Sequence, residues 1–356
     1  MRKAKSSLFA AIAIGATGAI AATTAPIAIV TLAILAAMGC EREASSPLAD
    51  LAQSRPPARI ASFKHGLGRG EIYAPASGIV ALRPAAEGRV QLPGGHFIMG
   101  STTRDMRAAM EMCMREALGS ECEDNTYPSN PAPVIRAEGH THEVTLSPYE
   151  IDRTEVTVRA YKRCVLAGAC APASFSLGDA RYDMPDFPIT HVRWEDAAAY
   201  CAWVSGRLPT EAEWEFAASG RAGHVFPWGN VESSRLANHG AFAVDPTDGS
   251  DGFVGLAPVG SLPDGATSTG LYDMAGNVAE WVFDLYARDA DGFGYPRSAQ
   301  VDPIGPAFGG QGHVVRGGSY RDGMFMLRTA ARRASVIATR EIGFRCAYSV
   351  TTRFLR

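Results

Sequence analysis

The chain has 356 residues, with 34 Lys and Arg against 37 Asp and Glu, so its formal net charge at pH 7 is -3. That length accommodates one large domain or two ordinary ones. The near-balanced charge, with no basic run interleaved with aromatic residues, leaves nucleic acid out of the expected partners. Glycine (37) and proline (22) are abundant, which suits a loop-rich fold with many special backbone turns.

Residues 1–40 read as a targeting segment. Arg2, Lys3 and Lys5 form a positive start, and an uncharged, mostly apolar stretch runs from Leu8 to Met38, broken by Pro26. It ends at Met38-Gly39-Cys40, which resembles a bacterial lipoprotein processing site with Cys40 as the lipidated residue. Ala37 stands where Leu is usual and the stretch is long for an export core, so an uncleaved membrane anchor is the alternative. Either reading places the remainder in the cell envelope, outside the cytoplasm and held to a membrane. Residues 41–88, rich in Ala, Pro, Ser and Arg, read as a flexible tether, and the folded domain is expected over 89–352.

The stretch RVQLPGGHFIMGS (Arg89 to Ser101) alternates apolar and polar residues around Pro93-Gly94, which predicts a hairpin. In the following segment Met106, Met110, Cys113, Met114 and Ala117 fall on one helical face. Copper is one use of such a methionine stripe, and packing of a short helix is the plainer one. Residues 141–157 read as two strands that lead, through Glu155-Val156-Thr157, into a helix around Ala160 to Leu166. Pro188 to Gly206 reads as a strand and then a helix, with Ala198, Cys201 and Ala202 on one face and Gly206 as its stop. Thr210 and Glu213 form a capping box that opens a helix through Ala218, on which Trp214 and Phe216 are packing residues. Beyond Arg221 the periodicity fades into Gly- and Asp-rich segments with short strands.

The chain has seven cysteines. With Cys40 set aside, an even number remains in an exported chain, which points to disulfides. Cys113–Cys122 and Cys164–Cys170 are close-spaced pairs, which leaves Cys201 and Cys346. Metal binding is the competing use, and no CxxC pair or Cys–His zinc spacing supports it. The common enzyme signatures GxGxxG, the P-loop and GxSxG are absent.

Five motifs then occur in order: RLPTEAEWEFAASGR (Arg207 to Arg221), FPWGN (Phe226 to Asn230), GLYDMAGNVAEW (Gly270 to Trp281), VVRGGSY (Val314 to Tyr320) and IGFRC (Ile342 to Cys346). Together they resemble the formylglycine-generating enzyme family, also called sulfatase-modifying factors. The resemblance implies an α+β fold with little regular secondary structure and a core related to C-type lectins. Cys201 and Cys346 match a disulfide position of that family. Two calcium sites are implied as well, which suits an ion that takes six to eight oxygens. One would use the side chains of Asp273 and Glu280 with the carbonyls of Gly276 and Val278. The other would use Asn238, the His239 carbonyl, Asp251 and Phe253. The competing reading is that these groups only hydrogen-bond glycine turns.

The family's copper enzymes bind Cu(I) through two cysteines shortly after Gly-Gly-Ser-Tyr/Trp and oxidise a substrate cysteine to formylglycine. Here Gly317-Gly318-Ser319-Tyr320 is followed by RDGMFMLRTAARR, and no cysteine stands between Ser319 and Cys346. Asp322 falls where the first copper ligand would be, and a hard carboxylate does not replace a thiolate for Cu(I). Copper is therefore not expected, no catalytic residue is assigned, and Ser319 and Asp322 remain as pocket candidates. Met324 and Met326 read as packing residues. Arg316, Arg328, Arg332 and Arg345 are expected to pair within the fold, with a groove that grips a peptide carboxylate as the lesser use. Iron-dependent relatives carry a helical His motif that this chain lacks; His140 and His142 share only a strand face. The expected function is an envelope-tethered, calcium-stabilised binding or accessory domain holding a peptide or protein ligand in the family's groove. The alternative is an oxidoreductase of the same family with an altered site.

Overall fold

The computed structural model describes residues 88–116, 132–240, 249–289, 294–308, 310 and 312–350. Cys40, the tether, Ala117 and Cys122 lie outside the described residues. Ten short strands form three sheets. In the first, β4 (Tyr149–Asp152) lies between β1 (Arg89–Leu92) and β10 (Ala347–Ser349), antiparallel to both. In the second, β3 (His142–Leu146) pairs antiparallel with β2 (Gly95–Met99) and parallel with β6 (Gln300–Val301). The third, in spatial order, holds β8 (Arg332–Ser335), β7 (His313–Arg316), β5 (Ala279–Leu285) and β9 (Ile342–Gly343). With five helices beside them, the class is α+β.

The expected hairpin at Arg89 to Ser101 is replaced by two strands in different sheets. Val90 faces Ile151, whereas Phe97 faces Val144. Gly94 and Gly95 take φ of 64° and 113° and turn a corner instead of reversing the chain. A side chain at Gly94 would strike the Leu146 carbonyl, so the corner also lets two backbones meet.

Helix α1 (Thr103–Glu116) begins at a local cap in which Asp105 accepts from the Thr102 N–H and hydroxyl, and Thr102 Oγ1 accepts from the Asp105 N–H. It buries Ala109 and Cys113 against Val134 and Ile135 of α2 (Ala132–Arg136) and against Phe325 and Met326. Met106 and Met110 pack on this cluster, whereas Met114 points outward and is 41% exposed. The expected stripe is therefore narrower, because Met114 stands a third of a turn past Cys113. Cys113 is disulfide-bonded.

Helix α3 (Val158–Leu166) is capped by Thr157, and the Cys164–Cys170 disulfide closes its exit as expected. Helix α4 (Trp194–Trp203) buries Ala197, Tyr200 and Cys201, while Ala202 is exposed, so its inward face sits a residue back from the predicted one. No strand precedes it among the described residues; Pro188 makes a single bridge to Thr157. Ser205, at φ 62°, supplies the left-handed stop expected of Gly206. Gly206 serves a different need, since a Cβ there would stand 2.6 Å from the Tyr348 ring. The Cys201–Cys346 disulfide is present and spans 145 residues.

Helix α5 (Glu211–Ser219) is the centre of the fold. Its predicted capping box is formed, and every one of its residues is buried. Burial on all sides brings three glutamates into the interior, and each meets an arginine. Glu213 accepts two hydrogen bonds from Arg207, both 2.6 Å. Glu211 accepts two from Arg332, at 2.6 and 2.7 Å. Glu215 is bound by Arg316 and by the Gly100 N–H. Two further buried forks join Arg328 to Glu138 and Arg345 to Glu280. All four expected arginines thus pair inside the fold.

Replacing one partner of such a pair strands the other charge. Arg328→Met is expected to lower the unfolding free energy by about 3–5 kcal/mol, and Glu138→Leu in the same chain to restore part of that loss, as read by denaturant unfolding. Replacing both Cys201 and Cys346 by Ser is expected to cost about 5 kcal/mol in the same measurement, because the loop they close is long.

Candidate functional site

The Gly317-Gly318 pair leads the chain out of β7 into a tight turn. Asp322 Oδ2 accepts from the Ser319 N–H (2.8 Å) and hydroxyl (2.7 Å), and Asp322 Oδ1 accepts from Arg333 Nη1 at 2.9 Å. The structure therefore brings the two pocket candidates together, but as a buried and internally satisfied turn. The residues beyond it form a buried 3-10 turn, Met324–Met326, on which α1 packs. Glu116, at the end of α1, accepts from the Met324 N–H at 3.0 Å. Burial is the main cause that pushes its carboxyl up to about 7, against the opposing Met324 and Phe325 N–H groups.

Asn238, His239, Asp251 and Phe253 are gathered in one place. Asp251 accepts from the His239 N–H at 2.7 Å and from the Phe253 N–H at 2.8 Å. The Asn238 amide donates to the Gly255 carbonyl and to Asn277 Oδ1, while its own Oδ1 is buried without a partner. A buried acceptor in that state is costly unless something donates to it or coordinates it. Asp251 and Asn238 thus offer hard oxygens of the kind calcium takes.

The other proposed set is arranged differently. Asp273 adopts φ 55° and accepts from the Gly260 N–H at 2.6 Å. Glu155 lies beside it, and one oxygen, Oε2, is buried without a partner. Burial raises both carboxyls above the usual range, and for Glu155 the neighbouring Asp273 charge adds to the effect. Glu280 is engaged elsewhere: Arg345 donates to both its oxygens, and Trp214 Nε1 donates to Oε2 at 2.9 Å. The same guanidinium also reaches the Tyr272 and Asp273 carbonyls. A cation at this set would find Asp273 and Glu155 undercompensated, and would take Glu280 only in exchange for a bond to Arg345 or Trp214. Among the described residues no three His, Cys, Asp or Glu side chains converge on a metal position. Carbonyl and amide oxygens would therefore have to complete either shell.

A third constellation escaped the sequence reading. A cavity of about 240 Å³ opens between the second and third sheets, with Met99, His142, Asp284, Tyr295, Gln300 and Arg332 in its wall. Asp284 Oδ2 accepts from the Glu211 N–H at 2.7 Å and so caps α5 from β5. Burial first, and the Glu211 charge second, push its carboxyl up to about 8. His142 is 4% exposed; its Nδ1 faces the His140 carbonyl at 3.3 Å and its Nε2 has no partner. One signal was available: Glu280, Val282 and Asp284 have the same strand parity, so a buried Val282 brings both carboxylates inward.

Comparison with known proteins is decisive for the family. A family model described as the sulfatase-modifying factor enzyme 1-like domain matches residues 80–350. The chain belongs to the sulfatase-modifying factor family. It is 31% identical to the formylglycine-generating enzyme of Thermomonospora curvata over 315 residues, covering 74% of this chain and 93% of that one. It is 48% identical over 110 residues to the inactive C-alpha-formylglycine-generating enzyme 2 of Bos taurus, covering 30% of this chain and 36% of that one. Among solved structures, PvdO from Pseudomonas aeruginosa aligns with a TM-score of 0.53 at 25% identity, covering 76% of this chain and 99% of that one.

Family membership raises the question of copper, and the donors at the turn do not fit it. Asp322 is a hard ligand whose two oxygens are already bonded, and Met324 and Met326 are buried in packing. Cys201 and Cys346 are joined to each other. No step through copper follows from these residues.

The raised carboxyl of Asp284 makes a signed prediction. Between the ordinary Asp value near 4 and about 8, the folded chain keeps a proton that the unfolded chain releases. This residue therefore lowers stability as pH rises through that window. Asp284→Asn is expected to flatten that part of the dependence, which unfolding curves at pH about 5 and about 8 measure.

Proposed function

We propose that this chain is an envelope-tethered, calcium-stabilised member of the sulfatase-modifying factor family that binds or assists a partner instead of oxidising one. The supporting observation is the closed turn after Ser319. Asp322 is spent on Ser319 and Arg333, and α1 covers Met324–Met326, so the place where the family's copper chemistry is expected offers no thiol, and the unpartnered oxygen beside it, Glu116 Oε2, is a hard donor unsuited to Cu(I). The test is incubation of purified protein with Cu(I), oxygen and a Cys-x-Pro-x-Arg peptide. Mass spectrometry is expected to find the cysteine intact. Conversion of the thiol to an aldehyde would establish the second reading, an oxidase with an altered centre, which the formylglycine-generating enzyme from Thermomonospora curvata favours.

In this reading calcium is held by Asn238 Oδ1, the His239 carbonyl, Asp251 and the Phe253 carbonyl. A second ion uses Asp273 with the Gly276 and Val278 carbonyls, and Glu280 by exchange. The supporting observations are the unpartnered Asn238 Oδ1 and the adjacent buried carboxyls of Glu155 and Asp273, both raised by burial. A ligand that binds only the folded state at roughly a hundredfold excess over its Kd adds about 2.7 kcal/mol. Chelation is therefore expected to lower Tm, and Asp251→Ala or Asp273→Ala each to remove part of the shift. An unchanged Tm on chelation would dismiss both ions.

The membrane attachment proposed at Cys40 is tested by fractionation. Cys40→Ala is expected to move the protein from the membrane to the soluble envelope fraction.

A further inference from the structure

The cavity beside α5 and the turn after Ser319 are separate features, built from different residues. Two buried groups in the cavity wall lack what they need. With the His142 Nδ1–H directed at the His140 carbonyl, Nε2 is the acceptor of the ring; the Gln300 side chain stands near the imidazole, and no group meets Nε2 at hydrogen-bond distance. Asp284 receives one backbone N–H and no side-chain cation. Arg332, the nearby cation, is committed by its two bonds to Glu211 and lies over the rings of Tyr286 and Tyr295 at 4.7 and 4.6 Å. Tyr295 also gives its hydroxyl to Glu211. With Asp284 ionised, Glu211, Arg332 and Asp284 sum to one negative charge. The rest of the wall includes apolar surface from Met99, Ala212, Pro296 and Pro303.

We propose that this cavity binds a primary ammonium group carried on a short aliphatic stem, with Asp284 as its counter-ion and His142 Nε2 as its second acceptor. An ammonium supplies three donors and one positive charge; two of the donors match His142 Nε2 and Asp284, and the charge answers the Asp284 carboxylate. The stem lies along the methionine and proline wall. A neutral alcohol of the same length supplies one donor and no charge. The group belongs either to a free small amine or to a lysine side chain of a peptide.

The chemistry gives an unusual readout. The charged groups acting on Asp284 are Glu211 and Glu213 from α5 and Arg332 from β8, and His142 and Tyr295 line the same cavity. In that setting Asp284 holds its proton up to about 8. An entering ammonium converts the Asp284 carboxylic acid to a carboxylate, and the proton leaves to the buffer. No bond of the ligand is made or broken.

Calorimetry with n-butylamine, n-butanol and a lysine-containing peptide near neutral pH, in two buffers of different ionisation enthalpy, tests this. Expected are saturable millimolar binding of the amine, release of close to one proton per bound amine, and no saturable binding of n-butanol. Asp284→Asn is expected to weaken the amine about tenfold or more and to abolish proton release. His142→Phe keeps a ring in place and leaves Asp284 intact; it is expected to weaken binding while proton release persists. Peptide binding with the same proton signature assigns the ligand to lysine, and binding of the free amine alone assigns it to small amines. Equal binding of n-butanol, absence of proton release, or unchanged affinity in both variants would overturn the proposal. These outcomes do not depend on copper or calcium, so this test and those of the proposed function fail independently.

Discussion

The fold depends on arginine forks buried against carboxylates. Arg316, Arg328, Arg332 and Arg345 are each nearly fully enclosed, and each meets a carboxylate that is itself enclosed. A buried ion is tolerated only when its charge and its hydrogen-bonding capacity are both met. A guanidinium, with five fixed donors, meets that condition better than an ammonium. Arg345 is the fullest case: it grips Glu280 and also the carbonyls of Asp152 and Arg153 at the end of β4 and those of Tyr272 and Asp273, which lie outside any strand. In a protein with short strands and long irregular segments, such a side chain does work that a sheet does elsewhere.

The same constraint determines where chemistry can happen. Helix α5 is buried on every side, so its glutamates are consumed by Arg207, Arg332 and Arg316, and its first N–H is capped from β5 by Asp284. What is left over defines the sites. Asn238 Oδ1, Glu155 Oε2, His142 Nε2 and Glu116 Oε2 are among the buried acceptors that the internal network does not reach. Asn238 Oδ1 is a proposed calcium ligand, Glu155 Oε2 lies beside the proposed ligand Asp273, His142 Nε2 faces a cavity, and Glu116 Oε2 lies under the Met324 turn. Within the turn carrying Ser319 and Asp322, both Asp322 oxygens are bonded.

Features encoded within a few residues were legible in the sequence. The Thr210–Glu213 box, the Thr157 cap region and the Cys164–Cys170 staple are local, and each formed as read. The family motifs extended that reading to the fold class and to the Cys201–Cys346 pair. Pairing between distant segments was less legible. Arg89 to Ser101 carries a clean strand pattern, yet the pattern does not say that β1 and β2 choose different partners; the corner at Gly94-Gly95 decides that. The arginines were visible as a group, but which glutamate each would take depends on how α5 meets β7 and β8. His142 and Asp284 are separated by most of the domain in sequence, and neither has a local pattern that marks it as part of a cavity.

Arg345 and Cys346 stand close to the last described residue, yet they tie together segments from residues 152, 201, 272 and 280. Arg345 is the shared partner through which Glu280, Asp152 and the Tyr272–Asp273 backbone are held to one another. Without that guanidinium, the buried Glu280 would keep only the Trp214 Nε1 donor against its charge. Loss of that one side chain would therefore loosen several distant segments at once, not only the strand beside it.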